Sequence, residues 1–120
     1  IQCEYYALEG VTQLMRTIQL VREELNPELD LSTILLTMFD ARTKLSAQVG
    51  EQVRQHFPEQ TLVTLIPRSV RLSEAPSYGT TILSYDPQSV GAKAYVKAAG
   101  EIARRGAEEP VRSARRGWPQ

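Results

Sequence analysis

The sequence predicts an α/β fold built on a parallel sheet, and two observations lead there. Stretches with apolar residues every three or four positions alternate with short, near-continuous apolar runs. The first pattern suits helices packed on one face, the second strands covered on both. The order is helix, strand, helix, strand, helix, which calls for parallel strands joined by crossovers.

The elements follow in chain order. Leu8, Val11, Met15, Ile18, Val21 and Leu25 form one apolar stripe, so a helix is expected from about Ala7 to Leu25, stopped by Asn26-Pro27. Leu31–Phe39 reads as a strand and Asp40–Lys44 as a polar loop. Leu45, Val49, Val53 and Phe57 mark a second helix, ended by Pro58, and Thr61–Ile66 a second strand. Ser69–Tyr78 reads as loop or a short helical turn, broken at Pro76 and Gly79. Asp86-Pro87 supplies an N-cap and a first-turn proline for a last helix to about Arg105, with Val90, Ala94, Ala98 and Ile102 inward. Residues 1–105 are therefore read as one domain. Gly106–Gln120, with two prolines, two glycines and no periodicity, is read as a disordered tail.

Bulk composition narrows the function classes. Fourteen basic and fourteen acidic residues cancel, so any nucleic-acid case must rest on local clusters. A single cysteine, Cys3, excludes an internal disulfide framework and fits a reducing compartment. No apolar run approaches the ~18 residues of a membrane span, and no basic-then-apolar leader is visible. Two strands with three helices make a poor free-standing sheet, and the chain opens without Met, so a piece of a larger sheet with an open edge is expected.

Several chemistries lack their residues. There is no glycine-rich phosphate loop of either common type, in which backbone N–H groups and a helix N-terminus cradle anionic oxygens. His56 is the single histidine and lies far from Cys3, so no metal set or nucleophile triad suggests itself. An exposed or capping role is expected for His56.

Four stretches carry a resemblance: CEYYALEG (Cys3–Gly10), LLTMFDART (Leu35–Thr43), IPRSVRLSEAPSYG (Ile66–Gly79) and YDPQSVGAKAY (Tyr85–Tyr95). In this order and spacing the chain, from Ile1 to about Ile102, resembles the C-terminal half of a ParA/Soj-type chromosome-partitioning ATPase. The resemblance implies the C-terminal part of a Rossmann-like parallel sheet, in a deviant Walker A P-loop ATPase fold whose phosphate-binding half is not in this sequence. It implies an adenine pocket at Thr37, Met38 and Asp40 and at Pro67, Arg68 and Val70, on loops that follow strands, where α/β sheets hold ligands. Ordinary strand-end packing is the competing reading for Met38 and Pro67. Glu4 and Tyr5 or Tyr6 would lie near the nucleotide and dimer interface, or else Tyr5 and Tyr6 simply pack on the sheet.

The resemblance also implies DNA binding without sequence preference through Arg42 and Arg71, with Lys44 and Arg68 adding charge. Arginine suits the role because its planar fork binds phosphate bidentately and stays charged. The competing reading makes them surface residues or ion-pair partners of Asp40 and Glu74. Departures from the usual pattern are Lys44, Ser69, Tyr78 and Thr80-Thr81, and the last removes a basic residue at position 80. ATP and Mg²⁺ are implied for the complete protein and no cofactor for the isolated chain, which is expected to be inactive alone. Implied partners are the P-loop half or a full-length ParA in a dimer, a ParB-type protein and nonspecific DNA. The expected setting is cytoplasmic and nucleoid-associated, with no membrane. A truncated, non-catalytic interaction module pairing with ParA or ParB is the alternative. A MinD-like membrane-surface ATPase is weaker still, because the arginines of the tail lack an apolar face beside them.

Overall fold

The computed structural model describes residues 1–4 and 7–108. Tyr5, Tyr6 and residues 109–120 of the expected tail lie outside the described residues. The elements are α1 (Ala7–Glu24), β1 (Ile34–Phe39), α2 (Lys44–His56), β2 (Thr61–Pro67), α3 (Val70–Glu74), a 3₁₀ turn (Ala75–Tyr78), α4 (Ile82–Tyr85) and α5 (Val90–Glu108). The α/β class and the parallel pairing are as the sequence predicts: β1 and β2 form a parallel pair.

A third stretch joins the other side of β1. Gln2 bridges Thr37 in parallel, and the Cys3 N–H donates to the Thr37 carbonyl at 2.9 Å while the Thr37 N–H donates to the Ile1 carbonyl at 2.7 Å. The sheet is the two strands that the sequence predicts, and Ile1–Cys3, too short for a period-2 pattern to show, adds an isolated bridge. Two irregularities break the ladder. Ile34 pairs with Thr61 but Leu36 with Leu65, so β2 carries extra residues there, and the register shifts again between Leu36 and Phe39. At the second irregularity Met38 takes a φ of 52°, the left-handed region that a side chain resists.

Each face of the pair has its own core. Val49 and Val53 of α2 pack with Cys3, Ile34 and Leu36, with Phe39, Phe57 and Leu65 against them. Ala94 and Ala98 of α5 pack with Leu62 and Ile66, with Leu35 and Leu72 beside them. The expected inward stripe of α5 is rotated. Val90 and Ile102 are exposed, and Ala92 is buried while Ala94 and Ala98 pack on the sheet. Small residues let the helix approach closely: a Cβ at Gly91 would sit 2.6 Å from Leu72 Cγ. Glu101 and Arg105, polar residues one position off the expected stripe, face β2 instead.

Three local expectations are corrected. Asp86-Pro87 does not cap α5, which starts at Val90 with the Ser89 hydroxyl accepting from the Ala92 N–H at 3.1 Å. Asp86 instead ends α4 and accepts from the Ser89 N–H and hydroxyl. Pro76 lies inside the 3₁₀ turn and does not break it, whereas Gly79 ends that turn at φ 64°, as the sequence predicts. The last helix runs to Glu108, so Gly106–Glu108 belong to α5 rather than to a tail.

Candidate functional site

Two loops leave the carboxyl ends of β1 and β2 side by side, tied where the Arg68 N–H donates to the Phe39 carbonyl at 2.9 Å. The first loop, Asp40–Thr43, folds by local bonds. The Asp40 carbonyl accepts from the Thr43 N–H and hydroxyl, both at 3.0 Å. Thr43 in turn caps α2 by accepting from the Ser46 N–H at 3.2 Å. Buried Ser46 ties the loop inward: its hydroxyl donates to the Cys3 carbonyl at 3.1 Å and accepts from the Asp40 N–H at 3.2 Å.

Asp40 grips Arg42 with both oxygens, accepting from Nε at 3.0 Å and Nη2 at 3.2 Å, and takes the Arg42 N–H at 3.1 Å. The Arg42 side-chain hydrogen bond, helped by the backbone one, holds the Asp40 carboxyl below its ordinary range despite partial desolvation, and Arg68 adds to this. The same pairing raises Arg42. The Arg42 side chain is nonetheless 87% exposed. It is thus oriented at one side and open at the other, with donors to spare.

The second loop gathers residues from two of the recognised stretches. Arg71, on α3, faces Glu74 at 3.9 Å and Asp86 at 3.6 Å. The Tyr85 hydroxyl donates to Glu74 Oε2 at 2.7 Å, and the Tyr85 ring stacks on Tyr78 with centroids 5.2 Å apart. The hydrogen bond to Glu74, with some desolvation and the Glu74 charge, pushes the Tyr85 phenol up, against a smaller pull from Arg71.

The residues singled out from the sequence fall as follows. Thr37 is spent on the sheet: its backbone is paired on the Ile1–Cys3 side and its hydroxyl donates to the Ile1 carbonyl at 3.3 Å, leaving only lone pairs for a ligand. Met38 and Pro67 are half-buried at the strand ends, and Val70 is 72% exposed, an open apolar surface beside them. Asp40, Arg42 and Arg68 share the first loop's surroundings, and Lys44 stands exposed at the start of α2. Arg42 and Arg71 are both ion-paired, with the acids Asp40 and Glu74 that the sequence had offered as partners and, for Arg71, with Asp86 as well. His56 is exposed, its Nδ1 2.8 Å from the Gln52 carbonyl, as expected. Sequence reasoning missed Ser46 and the Tyr78, Tyr85 and Asp86 grouping. Ser46 was findable as the third residue after a capping threonine, whereas the grouping is joined by contacts between positions seven to fifteen residues apart. Among the described residues no cluster of His, Cys, Asp or Glu could hold a metal, and no helix is long and apolar enough to cross a membrane.

These features define a class: a parallel α/β chain with charged loops at the carboxyl ends of its strands. Comparison with known proteins narrows it. The chain is 53% identical over 106 residues to the sporulation initiation inhibitor protein Soj of Bacillus subtilis, covering 88% of this chain and 42% of that protein. It is 48% identical over 114 residues to the chromosome partitioning protein ParA of Caulobacter vibrioides, covering 95% of this chain and 43% of that one. The chromosome-partitioning ATPase Soj of Thermus thermophilus is 54% identical over 102 residues, 85% of this chain and 41% of its own. No protein-family model matches. Over nearly its whole length the chain is a ParA/Soj-type chromosome-partitioning sequence, and it spans about two fifths of the length of the curated relatives it matches.

Proposed function

We propose that this chain supplies, within a ParA-type partition ATPase, the adenine-side wall of the nucleotide site and a sequence-independent DNA contact. The observation that carries the reading is the tie between Arg68 and Phe39, which sets both strand-end loops at one end of the parallel pair. That end is where parallel sheets bind ligands. The half-buried Met38 and Pro67 and the open Val70 suit the face of a base, with Asp40 and Arg68 as polar neighbours. The phosphates and Mg²⁺ would be held by residues outside this stretch, which contains no glycine-rich phosphate loop. Bound nucleotide would supply the free energy for a dimer and for its later release by a ParB-type partner.

Arg42, Arg71 and Lys44 would meet DNA phosphates. The ion pairs orient the two guanidinium groups and leave them largely open, at 87% and 59% side-chain exposure. In the full-length protein, Arg42→Ala and Arg71→Ala are each expected to weaken binding to any duplex equally. Each should also lower the slope of log affinity against log salt by about one unit, with ATP affinity retained. Titration of two unrelated duplexes at several salt concentrations checks this. Unchanged affinity in both variants would reduce the arginines to structural ion pairs.

A further inference from the structure

Among the described residues no strand lies beside the outer edge of β2, yet its backbone is not open. Both oxygens of Glu101 accept from consecutive backbone groups, the Val63 N–H at 2.8 Å and the Thr64 N–H at 2.9 Å. Consecutive N–H groups of a regular strand point to opposite sides, so one carboxylate reaches both only because the ladder is irregular here, between the Thr61 and Leu65 pairings. Arg105, one turn further along α5, donates from Nη1 to the Gln60 carbonyl at 3.0 Å and from Nη2 to the Thr61 carbonyl at 3.1 Å. Arg54 of α2 donates to the Val63 carbonyl at 3.3 Å from the other helix. Glu101 and Arg105 also face each other at 3.8 Å, with side chains only 13% and 31% exposed.

We propose that Glu101 and Arg105 together act as a side-chain strand, closing the β2 edge against strand addition by a second copy of this chain. The Gln60 carbonyl already takes the Ile34 N–H of β1, but the Val63 and Thr64 N–H groups and the Thr61 carbonyl that they occupy are backbone groups an incoming strand would use. The segment at risk is apolar and β-branched: TLVTLI contains Val63, 79% exposed, beside fully buried Leu62. Two identical edges of this kind would pair readily if unguarded. Carboxylate and guanidinium serve better than a neutral pair, because each makes charge-assisted bonds to two backbone groups at once.

The test compares the full chain with Glu101→Ala, Arg105→Ala and the double variant Glu101→Ala/Val63→Lys, by sedimentation over a range of concentrations and by amide exchange. Glu101→Ala is expected to self-associate beyond the parent. At concentrations low enough to keep it dispersed, it should lose about tenfold in protection at the Val63 and Thr64 amides while the Ile34 amide, which donates to Gln60, keeps its own. Arg105→Ala should associate more weakly. A lysine on the edge strand should return the double variant to the parent's behaviour, which it would not do if Glu101→Ala merely failed to fold. The proposal is overturned if Glu101→Ala stays as dispersed as the parent, or if its association persists with Val63→Lys.

Discussion

The two strand-end loops sit side by side but are held in different ways. Asp40–Thr43 is closed by bonds reaching no further than three residues within the loop, and by Ser46 six residues on. The Arg68–Asp86 stretch is closed by contacts across eleven residues, from Tyr85 to Glu74, and by α3 lying against Gly91 of α5. The first loop is therefore closed mainly by local bonds, with Ser46 anchoring it to the Cys3 carbonyl. The second also leans on α5, where Gly91 lies against Leu72. For the arginines this means that Arg42 is oriented by its near neighbour Asp40, while Arg71 is held both by Glu74 three residues on and by Asp86 fifteen residues on.

Crowding Gly91 should separate the two loops most sharply. In Gly91→Val the new side chain collides with Leu72, which must shift with α3. A loss of ~1–3 kcal/mol in urea unfolding is expected for such overpacking, together with a weakened near-ultraviolet signal from the stacked Tyr78 and Tyr85. Exchange at the Thr43 and Ser46 amides should not change. If those amides lost protection equally, the loops would be one cooperative unit and the contrast would fail.

Thr43→Ala probes the local loop. Removing the cap should cost ~1 kcal/mol and raise exchange at the Ser46 amide, leaving the tyrosine signal intact. A change in that signal would show that the first loop supports the second.

The smallest effect expected is in the titration of Tyr85. Its phenol is raised chiefly by the hydrogen bond to Glu74 and lowered by Arg71. A raised folded-state value means the bond's contribution is fully present below the ordinary tyrosine range and lost as pH rises through the folded value. Followed by ultraviolet absorbance, Glu74→Gln should move the titration down toward the ordinary value, and Arg71→Ala should move it further up. Identical titration in all three proteins would mean the second loop does not hold this network in solution.

Much of this was legible in the sequence. The strands, α1 and α2 were placed to within a few residues because apolar period is a local property that burial then uses. Arg42 with Asp40 and Arg71 with Glu74 were foreseen as partners for the same reason, since each pair lies within one turn. The start of α5 was misread at Asp86-Pro87 because a cap-like dipeptide is common in turns too. There Asp86 is taken by Arg71, fifteen residues earlier.

By itself the sequence determined the α/β class, the parallel order, the ParA/Soj resemblance later matched at about half identity, and the local loop around Arg42. Only the tertiary structure decided the rest. It bridged Ile1–Cys3 to the free side of β1, gave Met38 within β1 a left-handed φ, and rotated α5 so that Gly91 meets Leu72 while Glu101 and Arg105 meet the β2 edge. The physical reason is range. Period, caps and neighbouring charges act within a turn or two of the chain, whereas the partner of a backbone edge or a close helix contact is fixed only when distant segments are packed together.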